Sequence, residues 1–330
     1  MNRPVNIGLA LVACALSLAA AEAVLRLDPF QYGKYGLYDE ICGFQHLQED
    51  TSYIILSGQP HPFYRMRPGI KIHQGVGLTA LNASGFQGDT RSDPGSVNLL
   101  FAGDSVAFGF HVGAQETFPE RIRTRLDKAR IMNTAAVSYN TLDEVAIVKE
   151  VLQKGEFRPD VVVLQFGFND FQGVLHIRKK NGQDLYYEKR VTSVFGPPSG
   201  LYKFLLDNSF LFYRANSLVM RIFSGGGRLH PYPDCIPQVR SALAELKDLG
   251  RTHGFKEVFL FVPYDIRRWK AKGWRMKEVN SYLSMAEYSL DLSDLSGDAS
   301  LWVDSYHPNA KGHEIIARRL FEYLVREKLI

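Results

Sequence analysis

The stretch "FAGDSVAFGF", residues 101–110, decides how this chain is read. It closes the apolar run "VNLLFAG" (97–103), breaks at Gly103-Asp104-Ser105 and meets a second glycine at Gly109. A strand that is apolar at successive positions is covered on both faces, as in a parallel sheet between helices. Its ending has two readings. Asp104 and Ser105 either cap the next segment in an ordinary turn or present a hydroxyl for chemistry. In 330 residues the triplet alone arises by chance about one time in ten. It gains meaning only from partners elsewhere.

Similar runs recur along the chain: "RIMNTAA" (130–136), "DVVVLQFG" (160–167), "EVFLFVPY" (257–264) and "SLWVD" (300–304). Between them, residues 116–129, 141–155, 237–254 and 310–329 place apolar side chains at three- and four-residue intervals. Strand alternating with helix predicts a three-layer α/β/α sandwich around a central parallel sheet. Ligand chemistry in such folds gathers beyond the carboxyl ends of the strands. Gly103-Asp104-Ser105, Ser138-Tyr139-Asn140, Gly167-Phe168-Asn169-Asp170 and the segment from Asp304 to His307 all fall there.

The domain organisation expected is a signal anchor or signal peptide over 1–27, an N-terminal extension over 28–95 and the α/β domain over 96–330. Within the last, residues 171–235 form an aromatic-rich insertion at the active edge, suited to a lid, a substrate wall or a packing subdomain. Composition fits a globular protein: 45% hydrophobic, 22% charged, net charge +4. The basic residues form no long block and no nucleic-acid module, so no nucleic-acid partner is expected.

From Ile7 to Ala21 the chain carries no charge, and its apolar character continues to Leu27, interrupted by Glu22 and Arg26. The longer reading just crosses a bilayer, at roughly 1.5 Å per residue. Three export readings compete: a retained signal anchor, a signal peptide cut after Ala19-Ala20-Ala21, and a lipoprotein signal with Leu11-Val12-Ala13-Cys14 as its lipobox. Each puts the body outside the cytoplasm. There, Cys42 and Cys235 could pair or remain free thiols.

In "WVDSYHPNAKGHEIIA" (302–317), Asp304 and His307 are three apart just ahead of a helix. On an irregular turn that spacing lets the carboxylate accept from one imidazole nitrogen while the other faces the cleft, as a general base requires. The competing reading is a turn aspartate and a surface histidine. In "LQFGFND" (164–170), Asn169 can aim its amide at an oxyanion and Gly167 allows close backbone approach, although an Asn-Asp pair often marks a plain turn.

These blocks, in this order and setting, resemble the SGNH/GDSL hydrolases: Gly-Asp-Ser after the first strand, Gly-x-Asn-Asp after the third, Asp-x-x-His before the last helix. "GDSVAFGFHV", "NTAAVSYNT", "NASGFQG" and "AAAEAVLRL" are further similar to the membrane-anchored bacterial branch. The resemblance covers about residues 96–330 and implies a flavodoxin-like sandwich and ester hydrolysis without metal or organic cofactor. It implies Ser105 as nucleophile, His307 as base and then acid, and Asp304 as its orienter. The oxyanion donors would be the backbone N–H of Ser105, the backbone N–H at Ser138 and the Asn169 side chain, with Gly103, Asp104 and Gly167 in support. Ser138 departs from the pattern, since the family usually has glycine there.

The implied activity is an exported serine esterase acting on O-acyl groups, O-acetyl among them, on glycans. Two alternatives are an O-acyltransferase using the same three residues and a non-catalytic glycan-binding or assembly module. Among neighbouring groups, His111 follows the nucleophile loop and either lines the cleft or, as a lone histidine more often does, plays a structural part; Asp265 ends a strand as a competing orienter but lacks a nearby histidine, and His313 is expected to be solvated. The glycines at 225–227 lack the lysine and strand of a phosphate loop.

Overall fold

The computed structural model describes residues 3–27, 54–57, 61–62, 64–73, 78–167, 170, 177–180, 183–187, 209, 211–212, 236–265, 276–304 and 306–330. They fall into two compact units, Met1–Gln45 with Lys189–Pro231, and His46–Glu188 with Tyr232–Ile330. Asn169, Cys42, Cys235, the glycine run at 225–227 and most of the 171–235 insertion lie outside the described residues.

In the first unit, α1 (Arg3–Leu27) carries the exposed side chains of Val12, Leu16, Leu18 and Val24. Its one acidic residue is satisfied from the insertion: the Glu22 carboxylate accepts from Ser209 Oγ at 2.9 Å and from the Leu211 N–H at 2.8 Å. No helix among the described residues is long and apolar enough to cross a membrane.

The second unit begins with short strands β1 (Ile54–Leu56), β2 (Tyr64–Met66), β3 (Lys71–His73), β4 (Leu78–Ala80) and β5 (Gln87–Gly88). The wound core follows: β6 (Val97–Ala102), α2 (Ser105–Phe108), α3 (Phe118–Arg123), β7 (Ala129–Asn133), α4 (Thr141–Lys154) and β8 (Val161–Phe166). After the hairpin of β9 (Ile177–Lys180) and β10 (Gln183–Tyr187) come α5 (Ile236–His253), β11 (Lys256–Phe261), α6 (Met276–Leu283), β12 (Tyr288–Asp291) and α7 (Ala310–Arg326).

The main sheet runs β12-β11-β8-β6-β7-β5. Its first five strands are parallel, whereas β5 pairs antiparallel with β7, so the sheet is mixed at one edge rather than wholly parallel. The "NASGFQG" turn brings β5 there. Asn82 Oδ1 accepts from the N–H groups of Ser84 and Phe86, and a Cβ at Gly88 (φ 82°) would lie 2.2 Å from the Ile131 carbonyl oxygen. Helices α4, α5 and α6 make one outer layer, α3 and α7 the other.

β8 is buried along its whole length. Each Val, Leu or Phe taken fully from water there contributes about 1.5–3 kcal/mol. The last sheet strand is β12, not the expected 300–304 segment. The four residues of β12 form an edge strand that is never fully buried, so no apolar run announces it. Leu301 and Trp302 are apolar because they pack as buried turn residues; 299–301 is a 3₁₀ turn, and Trp302 makes only an isolated bridge to Pro308.

Candidate active site

The chain leaves β6 at the centre of the sheet, where the crossover to β7 runs one way and that to β8 the other, the switch point at which wound sheets bind ligands. At Gly103 a Cβ would lie 2.7 Å from both Ala107 Cβ and Gln165 Oε1, so only glycine fits. Asp104, 1% exposed, caps α2 by accepting from the Val106 N–H at 2.7 Å. Ser105 is thus set at the first position of a one-turn helix that ends at Gly109 in a left-handed conformation.

Three buried amides from three strands or strand ends fix that turn. Gln165 Oε1 accepts from the N–H groups of Asp104 and Ala107, Asn133 Nδ2 donates to the Ala107 carbonyl at 2.8 Å, and Gln87 Nε2 donates to the Phe108 carbonyl at 2.8 Å. A buried polar group without such a partner is costly, so each bond also fixes register.

Opposite stands the turn before α7. Asp304 Oδ1 accepts from the backbone N–H groups of Tyr306 (2.7 Å) and His307 (2.8 Å), while Oδ2 lies 2.8 Å from His307 Nδ1. With the Nδ1 proton directed at that carboxylate, His307 Nε2 accepts from Ser105 Oγ at 2.9 Å. Burial works against the Asp304 charge, but hydrogen bonds from His111 and His307 outweigh it and hold the carboxyl well below the usual range. The ionised acid can orient an imidazole and stabilise an imidazolium.

Ser138 lies in the loop after β7 at φ 66°, the left-handed region. Its neighbours are tied down. Ala136 N–H donates to the Gly103 carbonyl at 3.2 Å, Tyr64 Oη donates to the Val137 carbonyl, and Tyr139 Oη donates to the Tyr64 carbonyl at 2.7 Å. This backbone explains the glycine expected at the position; serine occupies it under strain. Gly167 donates its N–H to Asp170 Oδ2 at 2.7 Å, and Asp170 Oδ1 accepts from the Thr141 N–H and hydroxyl, which joins the end of β8 to the start of α4. Burial, with Asp104 nearby, pushes the Asp170 carboxyl up to about 7 despite those bonds. Glu144, also buried, is pushed well above its ordinary value by the same desolvation and by Asp170 and Asp104.

One histidine differs from expectation, and a second takes one of its two readings. His313 is not solvated: it is 0% exposed, accepts from the Phe118 N–H at 3.3 Å, and burial pushes it down to about 3. It joins α7 to the first turn of α3, a tertiary role that its place in a helical period could not reveal. His111 packs inside the site, its Nε2 3.4 Å from Asp304 Oδ2. Its place directly after the nucleophile loop is the sequence signal for the cleft reading. Asp265 is fully buried, and Asp304 is the carboxylate beside His307.

His111, Asp304 and His307 offer ligand atoms all within 4.8 Å of one another. An ion held by His307 Nδ1 would have to displace the proton between Nδ1 and Oδ2. A separate cleft of about 560 Å³ beside α4 and α5, lined by His61, Arg65, Lys149 and Glu245 among others, contains none of the three.

A hydroxyl, an imidazole and a carboxylate in hydrogen-bonded series at the carboxyl edge of a wound sheet have the layout of acylhydrolases. The model of the GDSL-like Lipase/Acylhydrolase family matches residues 101–315. The chain belongs to that family, and it is a hydrolase acting on ester bonds. Among solved structures it is similar to TesA (14% identity, TM-score 0.45, covering 71% of this chain and 99% of that one). It is also similar to the psychrotrophic esterase EstA from Pseudoalteromonas sp. (12%, 0.42, 69% and 97%). A third is Axe2, an acetylxylan esterase from Geobacillus stearothermophilus (15%, 0.41, 69% and 94%). A search of curated proteins finds no match.

Proposed function

We propose that Ser105, His307 and Asp304 act as a catalytic triad that hydrolyses O-acyl esters outside the cytoplasm, with O-acetyl groups on glycans as the substrate class. The observation that carries this reading is the continuous relay from Ser105 Oγ through His307 to Asp304, with contacts of 2.9 and 2.8 Å. His307 takes the hydroxyl proton as Ser105 Oγ attacks the acyl carbonyl, then returns it to the departing alcohol. Water, deprotonated by the same nitrogen, releases the acid from the acyl-serine. Negative charge on the tetrahedral oxygen falls to the Ser105 N–H, the Ser138 N–H and the Asn169 side chain; one such donor is worth about 10²–10³ in rate.

The location rests on the uncharged run from Ile7 to Ala21. The glycan O-acetyl assignment rests on the sequence resemblance and that location. A side chain at Ser138, where the family usually has none, favours a small acyl group.

The test is hydrolysis of an aryl acetate by the wild-type protein and by Ser105→Ala, followed by acetate release from an O-acetylated glycan. The expected result is activity in the wild type and a fall of at least about 10³-fold in the variant. Undiminished activity in Ser105→Ala ends the assignment. Transfer of acetyl to an added glycan hydroxyl in preference to water would replace hydrolysis by acyl transfer.

A further inference from the structure

His111 follows the nucleophile turn directly, and its backbone lies at φ 76°, in the left-handed region. A residue with a Cβ is unfavourable there, whereas glycine takes the conformation freely. Such strain persists only where the surroundings impose it, and it clusters at functional sites. Here it delivers one side chain to one place. The imidazole is 7% exposed, with Nε2 3.4 Å from Asp304 Oδ2. Its ring meets that of His307 edge to face, centroids 5.0 Å apart at 87°, and Phe110 packs on both rings at 4.1 and 5.1 Å.

Asp304 is held from three directions. Oδ1 is fixed by two backbone N–H groups of its own turn, and Oδ2 faces His307 Nδ1 on one side and His111 Nε2 on the other. We infer that His111 is a positioning residue of the acyl-transfer machinery, its Nε2–H holding Asp304 Oδ2 in the orientation from which the carboxylate directs His307. Without that contact the half-exposed carboxylate has one partner fewer on the oxygen that matters.

This role requires neutral His111, with its proton on Nε2. Burial lowers its imidazole, and the neighbouring His307 adds to this, against the pull of Asp304; these are the titratable groups that bear on it. One cation at a time then occupies the site, on His307, when the triad has taken the serine proton.

The inference rests on the triad reading above, so Ser105→Ala is measured beside the His111 variants in the full chain. His111→Gly relieves the backbone strain while removing the donor. Its melting temperature is expected to stay within a few degrees of wild type, while kcat on an aryl acetate falls about tenfold and KM changes less than twofold. His111→Asn tolerates the left-handed backbone but is too short to reach Asp304, and it should show the same loss. His111→Gln, whose terminal amide can occupy the place of Nε2, should regain most of kcat. Wild-type kcat in His111→Gly, or equal losses in Asn and Gln variants that track a falling melting temperature, overturns the inference. If Ser105→Ala is fully active, the triad reading itself fails. If Ser105→Ala is dead and His111→Gly is fully active, only the role of His111 fails.

Discussion

Replacing Ser138 by alanine and, separately, by glycine should invert the usual order of stability. In ordinary helical or extended backbone, glycine is less stable than alanine by roughly 0.5–1 kcal/mol, because it loses more conformational freedom on folding. At φ 66° the Cβ meets the following carbonyl, at a cost of roughly 1–2 kcal/mol that glycine escapes. The backbone cannot relax out of that conformation. Tyr64 and Tyr139, rings 5.0 Å apart, exchange hydroxyl-to-carbonyl bonds on either side of the residue, and the Gly103 carbonyl holds Ala136. Ser138→Gly should therefore exceed Ser138→Ala by about 0.5–1 kcal/mol. Both variants lack the hydroxyl, so whatever it binds cancels in the comparison. For a domain of this size the difference is about 1–4 °C in melting temperature, within reach of calorimetry or urea titration. Kinetics with aryl acetate and butyrate on the same proteins should show the glycine variant gaining relative activity on butyrate. Alanine as stable as glycine would refute the strain argument, and an unchanged butyrate-to-acetate ratio would remove Ser138 from the acyl pocket.

Asp304→Asn should lower kcat by about 10⁴ with little effect on KM, since an amide cannot hold the same tautomer of His307 or stabilise its cation; steady-state kinetics checks it, and a loss below tenfold would show that His307 is oriented by other groups. Stability should also carry a pH signature from Asp170. Its folded pKa is raised to about 7, above the unfolded value, so its contribution is fully present below about pH 4 and is lost as pH rises through 7, with a slope approaching 1.4 kcal/mol per unit. Urea titrations from pH 4 to 8 should show that slope in the wild type and a flatter curve in Asp170→Asn. Identical pH dependence in the two proteins would place the titration elsewhere.

The order of strands and helices was legible because it is local. Runs such as Val161–Phe166 are apolar at every position, α4 opens on an Asn140 capping box and closes on Gly155, and Gly103-Asp104-Ser105 is a capped turn that any reader of glycine and cap signals can place. The same locality explains what was misplaced. β12 is an edge strand with half-wet side chains, Leu301-Trp302 are apolar for turn packing, and β5 reaches the sheet through a short glycine-dependent bend. Asn169, read from sequence as an oxyanion donor, lies outside the described residues.

What the sequence alone determined is the cast of residues and their local settings: a hydroxyl in an aspartate-capped turn after a buried strand, and a histidine three places past an aspartate before a helix. What the tertiary structure decided is which of them meet. Ser105 and His307 stand 202 positions apart and touch because the wound core starts at β6 in the middle of the sheet, winds to each side and returns α7 beside α3. His111 joins Asp304, and His313 disappears into the helix layer, for the same reason. Contacts between distant segments are set by strand order and layer packing, and neither leaves a periodic trace in the residues that end up in contact.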